Sequence, residues 1–126
     1  MAKVLLIGVG GFIGSIARYW LSGLVQERTA GTFPFGTLAV NVLGCLFIGV
    51  LSELADARAF LSAEARACAV VGILGGFTTF SAFGNETVNL LRDRDWGLAG
   101  WNVMAHVALA IGAVWLGRTA AHLIWR

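Results

Sequence analysis

Charge is what this 126-residue chain has least of. Only 13% of its residues are charged, against roughly 25% in soluble domains. With 58% hydrophobic residues and a mean hydropathy of +0.80, a water-soluble fold of this size would expose far too much apolar surface. Proline is nearly absent. The one copy, Pro34, sits just before an apolar run, where a missing N–H costs a helix least. Cysteine is scarce too. Cys45 and Cys68 are isolated in apolar surroundings, with nothing nearby to complete a metal site, and read as inert packing residues. The sequence pI near 8.9 would suit a nucleic-acid partner, but there is no basic cluster to bind one.

The apolar residues come in blocks separated by charges. Four spans follow, at about 4–25, 36–55, 67–91 and 97–122, each near the ~20 residues needed to cross a bilayer core. The reading is an all-α membrane protein with one four-span domain in the lipid bilayer. The first span is too long, and too poor in cleavage signals, for a removable signal peptide. Trp20, Trp96, Trp115 and Trp125 fall near the predicted interfaces, with Trp101 one turn deeper. Four spans place both termini on the side of the 56–64 loop. That side carries Lys3, Arg58, Arg66 and Arg126, with Arg118 near the edge. The other carries Arg28, Arg92 and Arg94, with Arg18 near the edge. Positive charge orients membrane proteins. So small an excess is compatible with one weakly specified orientation or with insertion both ways.

Residues 4–15, with Gly8-x-x-Gly11-x-x-Gly14, look like a nucleotide-binding turn. The rest of the chain opposes an NAD enzyme. It has no further strand–helix alternation, no Tyr-x-x-x-Lys pair, and too little length. The same glycines serve as a packing stripe for helices in lipid, as do Gly44 and Gly49 on the second span. Four thin helices can hardly enclose a water-filled path alone, so an oligomer, most simply a dimer, is the expected unit.

The most informative stretch is 72–86, where Gly75-Gly76 and then Thr78-Thr79-Phe80-Ser81-Ala82-Phe83 interrupt an apolar run. Non-helical backbone in a bilayer is tolerated only inside protein or along a cavity. A third helix broken at Gly75 and Gly76 would release carbonyls near Gly75 and Thr78, which could bind a hard cation such as Na⁺ or be satisfied by water or Ser/Thr hydroxyls. The other intramembrane polar groups are few: Arg18, Thr37, Asn41, Asn85, Glu86, Asn102 and His106. Asn41 offers two N–H donors, Thr37 lies one turn earlier on the same face, and Ser81 adds a hydroxyl. Phe80 and Phe83 share a helix face, and their ring edges are electropositive. No carboxylate stands at mid-span in the first, second or fourth helix. This set suits a small anion better than a cation. Taken singly, Asn41 also serves as a helix–helix hydrogen bond, the two phenylalanines as packing, and Arg18 as a snorkelling side chain.

Three motifs together carry a resemblance. They are Gly8-x-x-Gly11-x-x-Gly14 followed by Arg18, then Gly36-Thr37-Leu38-x-x-Asn41-x-x-Gly44, and Gly75-Gly76-x-Thr78-Thr79-Phe80-Ser81-x-Phe83-x-x-Glu86. Over essentially its whole length the chain resembles the Fluc (CrcB) fluoride channels. The resemblance implies an antiparallel, dual-topology homodimer that exports F⁻ passively across the plasma membrane and relieves fluoride toxicity. It implies pathways lined by Asn41, Phe80 and Phe83, with Ser81, Thr37 and Arg18 beside them, and a charged Glu86. It also implies a structural Na⁺ at the dimer interface, held by backbone oxygens of Gly75 and Thr78. The chain departs from the family pattern at Ala82 and Gly84, and residues 103–116 of the last span offer no hydroxyl, only His106. The alternative is a small dual-topology multidrug or guanidinium exporter. Such a transporter needs a carboxylate in its first span, where this chain has Ser15 and Arg18. A structural or regulatory membrane subunit would explain the glycines but not the Thr-Thr-Phe-Ser segment.

Overall fold

The computed structural model describes residues 1–58 and 61–125, without the side chains of Ala57 and Arg58. Two of the cations counted above, Arg126 and the Arg58 side chain, lie outside the described residues. The architecture is all-helical: α1 (Ala2–Thr29), α2 (Phe35–Arg58), α3 (Ala63–Arg66), a π-helical stretch (Ala67–Leu74), α4 (Gly75–Phe77), α5 (Phe80–Arg92) and α6 (Trp96–Ile124). Four of the helical rods are long and apolar enough to cross a membrane: Ala2–Thr29, Phe35–Asp56, Ala63–Arg92 and Trp96–Ile124. Their faces are largely uncovered, and Trp20, Trp96, Trp101 and Trp115 are exposed. In lipid such faces need no protein cover.

Local chemistry sets the ends of these rods. Gln26 organises the first connection. Its Nε2 donates to Gly31 O at 3.2 Å and Phe33 O at 3.1 Å, while its Oε1 accepts from Gly36 N at 3.1 Å. That last bond satisfies one of the orphan amides at the start of α2. Ser62 caps α3, accepting from Ala65 N at 3.1 Å. α5 passes to α6 through a tight turn with Arg94 at φ 62°.

Packing is by backbone approach. α1 lies on the π-helical stretch and α4, and also on α2. α2 runs along α6, and α5 lies against α6. Between α1 and the third rod the seam is made of glycine. A Cβ on Gly10 would stand 2.7 Å from Cys68 O, one on Gly72 2.8 Å from Ile7 O, and one on Gly76 2.6 Å from Gly11 O; one on Gly14 would strike Ile73 O. Of the stripe expected at Gly8, Gly11 and Gly14, the last two lie at this seam and Gly8 does not. Gly8 meets nothing within 4 Å, and the buried pair is Gly10 and Gly14. A spacing of four keeps two residues on one helical line, whereas steps of three drift away from it. α2 and α6 make a second seam, with Gly49 on Val114 O and Gly117 on Leu46 O.

The expected release of backbone at Gly75 and Gly76 also needs correction. Gly75 is helical, at φ −62° and ψ −38°, and Gly76 is the close-approach residue just described. Extended backbone comes instead at Thr78 (φ −90°, ψ 158°) and Thr79 (φ −151°, ψ 111°). Thr79 is the N-cap of α5, its Oγ1 accepting from Ala82 N at 3.1 Å. Threonine is a good cap because its hydroxyl replaces a missing carbonyl.

Candidate functional site

Asn41, half-buried on α2, reads the extended step at both ends. Its Oδ1 accepts from Thr79 N at 2.8 Å and its Nδ2 donates to Thr79 O at 3.0 Å. The amide oxygen thus replaces the ladder acceptor that Thr79 N gives up, and the amide nitrogen adds a donor to the Thr79 carbonyl, which as the N-cap also opens the α5 ladder. The consequence reaches two carbonyls. In a continuous α-helix Gly75 O would accept from Thr79 N, and Thr78 O from Ala82 N. Here Thr79 N donates to Asn41, and Ala82 N donates to the Thr79 hydroxyl. Gly75 O and Thr78 O have therefore lost their ladder donors to other acceptors, as Gly76 O and Phe77 O lose theirs where α5 begins afresh at Phe80. Both residues border a groove of about 450 Å³ that also takes in Asn41, Thr79, Phe80, Phe83 and His106. Its remaining walls are mainly apolar. They include Cys45, which, like Cys68, is half-buried and free.

The two phenylalanines sit on this groove differently. Phe80 is 83% exposed and Phe83 half-buried; their ring centroids are 5.3 Å apart at 50°. Phe83 rests in turn on the His106 ring, with centroids 4.4 Å apart. Behind it Asn102 Nδ2 donates to Thr87 Oγ1 at 2.9 Å, and that hydroxyl donates to Phe83 O at 2.7 Å.

A second pocket, of about 330 Å³, gathers Arg18, Thr37, Glu86, Ser15, Tyr19 and Ser22. Thr37 donates from Oγ1 to Glu86 Oε1 at 2.5 Å. The pocket thus brings together the cationic and carboxylate side chains singled out in the sequence, from three different rods. Thr79 borders both cavities, so the extended step is the wall they share. Ser81 borders neither. It is exposed, with its hydroxyl 3.2 Å from that of Thr79. Sequence reasoning missed Ser15, Ser22 and Thr87. The signal was present for the first two: seven residues apart, they lie two turns along one face of α1, beside Arg18 and Tyr19.

The family model described as CrcB-like protein, Camphor Resistance (CrcB), matches residues 5–118. The chain belongs to the CrcB-like family. Curated relatives of similar length agree. It is 49% identical to the "Fluoride-specific ion channel FluC" of Opitutus terrae, over 96% of this chain and 93% of that one. It is 48% identical to the protein of that name from Paramagnetospirillum magneticum, over the full length of both. The Geobacter sulfurreducens protein of that name is 46% identical over 96% and 98%. With four apolar helices and these relatives, the chain is a multi-pass integral membrane protein.

Proposed function

We infer that this protein is a fluoride-specific ion channel of the plasma membrane, letting F⁻ leave the cell passively, and that it is not an enzyme. Near-full-length identity to proteins named for that activity supports the reading. One structural observation carries it: the Asn41 amide holds Thr79 in extended form where the groove bearing Phe80 and Phe83 meets the pocket bearing Arg18, Thr37 and Glu86. An anion crossing at Thr79 finds amide and hydroxyl donors and ring edges, none of which carries a full positive charge that would trap it. Ser81 extends the hydroxyls beside Thr79. The exporter alternative is not favoured, since α1 brings Ser15 and Arg18 to the pocket rather than a carboxylate.

The functional unit we propose is an antiparallel, dual-topology homodimer, with the groove facing a second copy. The extended backbone and polar side chains at Asn41, Thr78 and Thr79, opening on an otherwise apolar groove, are poorly suited to lipid tails but suited to cover by a partner. A third helix broken for ion handling belongs to the same proposal, as does a structural Na⁺ at the dimer interface. The fit for Na⁺ is good. Gly75 O and Thr78 O are hard oxygen ligands whose ladder donors are diverted, and two copies would double the set. When bound, the ion would add fixed positive potential near the anion route.

Ion efflux from liposomes tests the channel. Purified protein should give rapid electrogenic F⁻ release with little Cl⁻ release; equal Cl⁻ flux, or proton-coupled cation exchange, would defeat the reading. Replacing all Na⁺ with a bulky organic cation should abolish activity if the ion is structural. A terminal tag should be labelled from both faces of sealed membranes if both orientations occur.

A further inference from the structure

α6 gives the groove one polar side chain, His106; its other wall residues there are Val107, Ala110 and Ile111. The register of α6 on α2 fixes where this side chain stands. Gly49 meets Val114 and Glu53 pairs with Arg118, and both pairs have the same sequence offset as Asn41 and His106. The two parallel helices therefore bring His106 level with Asn41. The ring is held firmly. It is 7% exposed, lies against Phe83, and has Nδ1 3.0 Å from Asn102 O. A carbonyl only accepts, so Nδ1 carries the proton of that bond. Nε2 then presents its lone pair. It is buried and has no hydrogen-bond partner among the described residues, and buried polar atoms rarely stay so.

A bare lone pair would repel an anion. A water donating one O–H to it offers the other O–H outward, which converts an acceptor into a donor. We propose that His106 is a positioning and specificity-determining residue of the anion route, holding Phe83 by its ring and, through a water bound at Nε2, supplying the donor that α6 otherwise lacks. This rests on the fluoride-channel reading above. The ring's surroundings contain little else that could do the work. On the two helices packed against α6, the described charged or titratable groups are Cys45, Glu53 and Asp56 of α2, and Glu86 and Arg92 of α5. Glu53 and Asp56 are engaged by Arg118 and His122 at the far end, and Glu86 is bonded to Thr37 in the other pocket. Only Cys45 shares the groove.

Two measurements decide it. In liposomes, His106→Phe keeps an aromatic ring on Phe83 but removes Nε2. F⁻ efflux should fall about tenfold, the value of one pathway hydrogen bond, and adding Ala110→Ser, a hydroxyl on the same wall, should restore most of it. Flux equal to wild type in His106→Phe, or a loss that Ala110→Ser leaves unchanged, would overturn the proposal. If wild type itself carries no F⁻, the channel reading has failed instead. The second measurement needs no altered groove. Nitrogen NMR of ¹⁵N-histidine protein in lipid, with His122→Gln to assign the signals, should show His106 protonated at Nδ1 with Nε2 accepting a hydrogen bond. A ring protonated at Nε2 alone, or a non-bonded Nε2, would overturn it even where His106→Phe fails to assemble.

Discussion

The two sides of the third rod are built on opposite principles. Towards α1 it is closed: Gly10 and Gly14 of α1, and Gly72 and Gly76 of the third rod, lie so close to backbone across the seam that a Cβ has no room at any of the four. Towards α2 and α6 it is open, with a groove of about 450 Å³ and an exposed Phe80. Lipid supplies no hydrophobic force to press helices together, so the closed side depends on surface fit. The open side depends on polar bonds, chiefly those of Asn41 to Thr79. The closed side fixes the position of the rod, and the open side uses that position to hold two residues out of helical form.

Substitutions separate these roles. Gly14→Leu should do the most damage. Its side chain enters the space of Ile73 O, the rods must part, and the cost is about 3 kcal/mol or more; thermal unfolding in detergent, together with loss of the assembled species on size exclusion, would register it. Phe80→Ile should leave folding alone, because the ring touches little of its own chain, yet impair F⁻ efflux; unchanged efflux would take Phe80 out of the pathway. Gly8→Ala is the control for the closed side. Gly8 belongs to the same sequence motif as Gly14 but faces open space, so stability should stay within roughly 0.5 kcal/mol and flux should be unaffected. A large Gly8 effect would mean that the seam runs elsewhere.

The four membrane rods were legible because composition alone decides them: long uncharged runs between short charged loops. The position of the extended step was less so. Gly75 and Gly76 drew attention as helix breakers, but glycine in lipid is as often a contact residue, and Gly76 is spent on Gly11 O. Thr79 was the better signal, since a threonine ahead of an apolar helical run is a cap. The candidate site was legible as a set of residue types and not as an arrangement. Arg18, Thr37 and Glu86 come from three rods, and no spacing announces that they share a pocket. Asn41 was recognised as a donor. That both ends of its amide are taken up by one backbone residue depends on the rotation of α2 against the third rod, which only packing defines.

Asn41 holds Thr79 and is proposed to line the anion route, and one exchange tests both together. Asn41→Asp retains the oxygen that accepts from Thr79 N but replaces the Nδ2 donor by a carboxylate oxygen facing Thr79 O. F⁻ efflux from liposomes holding this variant should be lost while the protein still elutes as the assembled species. Efflux at the wild-type rate would contradict the account.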